Sequence, residues 1–203
     1  MKQWMLMGVL AVSGLGAHAA DNLLVNGGFE DGLLGWESMG NAAIRTADPL
    51  AYEGDNYLYG DSTSLYSVWQ DIDLLGAGFS AEAIDSGQLI VSFGGFQSGW
   101  HTQTDHGYIT LALVSDEPDE IGGFQLTPFY SNNTWVEQSG EGQILPGTRT
   151  IHFEFVGIRD DGSNNDAYLD AAFLTVSAVP EPEALGMFLA GLGVVAAGRR
   201  RLK

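Results

Sequence analysis

Between residues 21 and 179 the chain alternates apolar and polar positions in short runs. TIHFEF sets Ile151, Phe153 and Phe155 on one side and His152 and Glu154 on the other, the period-two signature of a strand with one face in a core and one in water. YITLALV repeats it with Ile109, Leu111 and Leu113. In SVWQDIDL, Val68, Ile72 and Leu74 share a face while Trp69, Asp71 and Asp73 point the other way. QLIVSF and AAFLTV add two apolar runs, and turn signals at Glu53-Gly54-Asp55, Leu145-Pro146-Gly147 and Asp160-Asp161-Gly162 separate the segments. No stretch shows a convincing amphipathic helical period. Short strands joined by glycine-rich turns predict an all-β antiparallel sandwich over residues 20–176.

The two ends break this pattern. Lys2, an apolar run over 4–15 and small residues at Ala17 and Ala19 have the layout of a secretory leader, residues 1–19, cleaved after Ala19. At the other end, 177–183 form a proline-containing linker and 184–203 a hydrophobic helix with basic residues behind it. The fifteen uncharged residues 184–198 fall short of the ~20 that span a bilayer comfortably, so the helix is a marginal anchor. Arg199, Arg200 and Arg201 keep its far end cytoplasmic by the positive-inside rule. Pro180 and Pro182 hold the preceding segment extended and outside a helix.

Charge then narrows the partners. Residues 21–179 hold three basic residues, Arg45, Arg149 and Arg159, against 24 of the 26 carboxylates, a formal charge of −21. Such a field repels phosphate backbones and excludes nucleic acid as a partner, while it favours divalent cations and solubility. The sequence has no cysteine, which removes disulfides, thiolate metal sites and thiol nucleophiles.

Motifs at the C-terminus carry a resemblance. Pro180, Glu181 and Pro182, a short hydrophobic helix and the arginine cluster occur in that order, and together they resemble the PEP-CTERM sorting signal. The resemblance implies a Gram-negative bacterium that makes exopolysaccharide and a membrane protease, exosortase, as processing partner. It also implies an inner-membrane intermediate, then release to the cell surface or extracellular matrix. A permanent single-pass anchor is the alternative reading of the same helix.

NLLVNGGFEDGLLGWE, read as an opening strand, resembles the first motif of galactose-binding-domain-like jelly rolls, the fold of many carbohydrate-binding modules. The Gly54 turn followed by YLYG and SVWQDIDL, and the closing DAYLDAAFLTV, fit the same family. The resemblance implies a structural Ca²⁺ tying the start of the domain to its last strand, at Gly28, Glu30, the turn from Glu53 to Asp55, and Asp170. Glu30 and Asp170 as solvated strand-edge acids are the alternative.

Sugars stack on flat rings beside a few polar groups. Trp36, in an apolar segment, is expected in the core. Trp69, alternating with aspartates, and Trp100, in a loop with His101, Gln103 and Asp105, are the candidate platforms. Tyr66, Tyr130 and Trp135 are weaker candidates. No nucleophile elbow, zinc-protease motif or phosphate-binding glycine loop occurs. The reading is a noncatalytic surface protein that binds polysaccharide, with a structural or adhesive protein and a glycoside hydrolase as alternatives.

Overall fold

A computed structural model describes residues 21–117, 119–130 and 132–179. The leader and the tail, with their expected helices, lie outside the described residues, and among those no helix is long and apolar enough to cross a membrane. Eleven strands follow in order: β1 (Glu37–Met39), β2 (Ala43–Arg45), β3 (Tyr57–Tyr59), β4 (Leu65–Asp73), β5 (Leu89–Ser98), β6 (His106–Val114), β7 (Glu120–Gln125), β8 (Phe129–Tyr130), β9 (Val136–Gln143), β10 (Thr150–Ile158) and β11 (Tyr168–Ala178). A five-residue helix, α1 (Ala81–Asp85), lies between β4 and β5, its first turn capped by the Ser80 hydroxyl accepting from the Ala83 amide at 3.2 Å. One turn and a half is too short to write a 3.6-residue period, which is why the pattern does not reveal it.

The strands form two antiparallel sheets. One runs β1-β4-β10-β6-β7, with β8 also paired to β6, and the other runs β2-β3-β11-β5-β9. The alternation in TIHFEF is seen directly: Ile151, Phe153 and Phe155 are buried, while His152 and Glu154 face outward. They meet Val68, Ile72, Ile109, Leu111 and Leu113 of their own sheet and Val91, Phe93, Leu169, Leu174 and Val176 of the other in one core. Trp36 belongs to that core, stacked on Phe29 at 5.1 Å and edge-on to Phe153 at 5.9 Å, with its indole N–H donating to the Asn26 carbonyl. Tyr66, a candidate for ligand contact, is fully buried with its hydroxyl donating to the Ala167 carbonyl at 2.5 Å.

The expected opening strand is absent. Residues 24–35 run as successive turns, because Asn26 (φ 53°) and Phe29 (φ 58°) take left-handed conformations that a strand does not admit. The segment is nevertheless bound to the last strand. The Leu23 amide donates to the Leu174 carbonyl at 2.8 Å, and the Asn22 side chain accepts from the Leu174 amide and donates to the Ala172 carbonyl.

Candidate functional site

The outward positions of β4, β10 and β6 build an open platform. Directly opposed residues on antiparallel strands share a face with Cβ atoms about 5 Å apart. Trp69 opposes Glu37 of β1 on one side and Glu154 of β10 on the other, and Glu154 opposes Thr110 of β6. One step along, Asp71 opposes His152, whose Nδ1 lies 2.7 Å from the aspartate oxygen, and His152 opposes Ala112. The Trp69 and His152 rings stand 6.4 Å apart. Trp69 is half-buried, on the same face as the buried Ser67 and Val156. Beside it lies an open trough of about 520 Å³ lined by Asp71, Asp116, Glu120, Arg149, Thr150 and His152 among others.

The second predicted group lies at the loop end of the sandwich. Trp100 sits under the Arg45 guanidinium, 4.9 Å from ring centre to carbon, with His101 edge-on at 4.4 Å. Arg45, Trp100, Gln103, Ser163, Asn164 and Asp166 line a cavity of about 230 Å³. Arg45 was no candidate from sequence. A lone arginine in an apolar and polar mixture gives no signal until the fold brings it over an indole. Asp105 departs from its expected ligand-facing role: it is fully buried, and its carboxylate accepts the amides of Asp160 (2.7 Å), Asp161 (2.9 Å) and Asp166 (2.8 Å). It therefore holds the 160–166 loop in shape behind the cavity. Burial pushes the Asp166 carboxyl above the usual carboxylate range, with the Tyr168 hydroxyl opposing the rise, the Asp105 charge adding to it and Arg45 again opposing it.

Around the Glu53 turn the expected calcium residues do meet. Asp170 is fully buried in β11 at a bulge that ends at Phe173 and leaves Ala171 at φ 46°. Its Oδ2 accepts the Tyr52 and Glu53 amides at 2.8 and 3.2 Å, and Oδ1 accepts the Ala171 amide at 2.7 Å. Glu30 holds the other side of the same turn, with Oε1 accepting the Asp55 and Asn56 amides, both at 2.9 Å. Gly54 (φ 61°) has to be glycine, since a Cβ there would stand 2.2 Å from the Glu30 carboxylate. The Glu53 carboxylate lies over Gly28, where a Cβ would come within 2.8 Å of it. Two acids thus grip one turn and a third lies over it, all hard oxygen donors of the kind calcium takes. Among the described residues no three acidic or histidine side chains converge as a metal cluster, so an ion at this turn needs main-chain carbonyls beside the carboxylates.

With this geometry in place, comparison locates the chain. Residues 178–201 match the PEP-CTERM protein-sorting motif. Comparison with curated proteins finds no match. Among solved structures, the carbohydrate-binding module TmCBM61 in complex with β-1,4-galactotriose is 16% identical, with a TM-score of 0.52 over 78% of this chain and 99% of that one. A family 16 carbohydrate-binding module is 18% identical, with a TM-score of 0.55 over 76% and 99%. The enzymatically active domain of tailspike protein 4 from bacteriophage CBA120 is 11% identical, with a TM-score of 0.58 over 77% of this chain and 21% of that one. At these identities the likeness is one of fold: the described body is a jelly-roll sandwich of the carbohydrate-binding-module kind.

Proposed function

We propose that the protein is a noncatalytic polysaccharide-binding protein delivered to the bacterial surface by its C-terminal sorting signal. The observation that carries this reading is Trp69, a half-buried ring on the open outer face of the six-stranded sheet, flanked by polar groups in a fold of the carbohydrate-binding-module kind. A ring fixed on a sheet offers a flat apolar surface to one face of a sugar at little entropic cost, and the carboxylates and Thr110 around it supply hydrogen-bonding partners for hydroxyls. Trp100, His101, Gln103 and Arg45 form a second, smaller subsite at the loop end, with Asp105 as its internal brace.

The match at 178–201 supports export in a Gram-negative bacterium, a passing stage at the inner membrane and processing by exosortase near Pro180, Glu181 and Pro182. Titration of the purified body with a panel of polysaccharides, followed by tryptophan fluorescence, tests the binding. A saturable change with at least one glycan is expected, and a flat response across the panel overturns the reading in favour of a structural or adhesive surface protein.

Calcium is proposed as a structural ion at the turn between Glu30 and Asp170, with Gly28, Glu53 and Asp55 contributing oxygens. Its role is to neutralise acids gathered at the junction of the first and last segments of the domain. A melting experiment checks this: calcium at a hundred times its Kd adds about 2.7 kcal/mol, which a chelator removes. An identical midpoint in both conditions overturns the ion.

A further inference from the structure

We infer that the glycan bound on the Trp69 platform is cationic, a polymer whose sugars carry free amines; this rests on the binding reading above. The sign of the surface around the ring carries the inference. Both residues directly opposite Trp69 on its neighbouring strands are glutamates, Glu37 and Glu154. The next outward positions on β4 are Asp71 and Asp73, and the adjoining trough is lined by Asp71, Asp116 and Glu120.

Positive charge to offset them is scarce in the body by composition and committed by geometry. Residues 21–179 contain no lysine. Arg149, on the rim of the trough, is held by a two-pronged bond to Asp85 at 2.9 and 3.0 Å and lies 3.6 Å from Asp116. Arg159 donates to the Ser62 and Ser163 carbonyls, and Arg45 lies over Trp100, 3.4 Å from Asp166. His152 faces Asp71.

An anionic glycan bearing uronate or sulfate would meet Glu37, Glu154 and Asp71 on three sides of the ring, with Ser67 on the fourth, and the three arginines of the described residues are already engaged. A neutral glycan would stack on the indole and leave the two glutamates to hydroxyls alone. An ammonium placed over or beside the ring satisfies both elements at once, because the indole face attracts cations and two carboxylates stand one strand to either side. The charge pattern also speeds the approach of a polycation and rejects polyanions, the two effects that electrostatic complementarity produces most directly.

The experiment compares a glucosamine hexamer with its fully N-acetylated counterpart and with a neutral β-1,4-galactan, at about pH 5, where the sugar amines carry their protons. The free amine form is expected to bind roughly tenfold tighter than the acetylated one, with the advantage shrinking as salt rises. Glu37→Gln with Glu154→Gln should erase the advantage while leaving the melting temperature in place, since both side chains lie on the outer face. Equal binding of the two hexamers, or Trp69-dependent binding of galactan alone, overturns the cationic assignment and leaves polysaccharide binding standing. No Trp69-dependent response to any of the three probes overturns it together with the placement of the platform.

Discussion

Trp69→Ala is expected to weaken polysaccharide binding by about 30-fold or more, the consequence of removing an anchor worth roughly 2 kcal/mol at the centre of a contact surface. The ring stands on the outer face of the six-stranded sheet, on a strand paired on both sides, opposite Glu37 and Glu154. Its stability cost should be small, about 1 kcal/mol or less, because the side chain stands outside the core formed by Val68, Ile72 and Phe153. Isothermal titration with the glycan identified in the panel, paired with a melting curve, checks both halves. Trp100→Ala serves as the contrast, since its ring lies under Arg45 in a separate cavity. If Trp69→Ala binds as the parent does while Trp100→Ala does not, the ligand sits at the loop end and the platform assignment fails.

Asp170→Ala is expected to be the most destabilising single change at the turn that joins the two ends of the domain. The carboxylate is buried and receives three main-chain amides, those of Tyr52, Glu53 and Ala171. Stranding buried donors costs about 1 to 3 kcal/mol each where water cannot replace the acceptor, so a total near 3 kcal/mol is expected. For a domain of this size that lowers the melting temperature by roughly 10 °C. A change below about 2 °C would mean that water replaces the carboxylate and that the site is open.

The same residue gives the protein a pH signature in chelator. Burial, with the Glu53 charge adding to it and three amides opposing it, pushes the Asp170 carboxyl up to about 6 from an ordinary 3.8. The folded form therefore binds a proton more tightly than the unfolded one. The stability that this proton contributes is complete below pH 3.8 and is lost as the pH rises through about 6. Asp170→Asn, with nothing to titrate, should flatten that part of the stability profile.

Much of the architecture was legible because burial writes itself into period two. TIHFEF, YITLALV and SVWQDIDL have the faces that the alternation requires, and Trp36 lies in the core as its apolar setting implies. The strand β9 was not legible. Its inward positions are Val136, Gln138, Gly140 and Gly142, only the first of them apolar and large, and the space above the glycines is filled by rings from elsewhere, Phe124 at 2.2 Å from a Cβ built on Gly142 and Phe93 at 3.4 Å from one on Gly140. A strand whose buried face is supplied by its neighbours shows no hydrophobic pattern of its own. The opening segment failed in the opposite way: NLLVNGGFE has the composition of a strand, yet left-handed Asn26 and Phe29 turn it.

At the candidate sites, residue types were legible and roles were not. Trp69 on an outer face follows from its aspartate neighbours, and the meeting of Glu30, Glu53 and Asp170 at one turn was legible only through resemblance to a family. The use of Asp105 as an internal brace, and the seat of Arg45 over Trp100, depend on contacts between residues 55 or more positions apart, which no local pattern encodes.

The order of strands has a consequence for how the molecule comes into being. The last two strands in the chain, β10 and β11, lie in the interior of their sheets, β10 between β4 and β6 and β11 between β3 and β5. A polypeptide that emerges from its N-terminus therefore cannot close either sheet until almost the whole body has appeared, and everything made earlier waits as unzipped halves. Assembly is completed by β11, which ends at Ala178, where the match to the sorting motif begins.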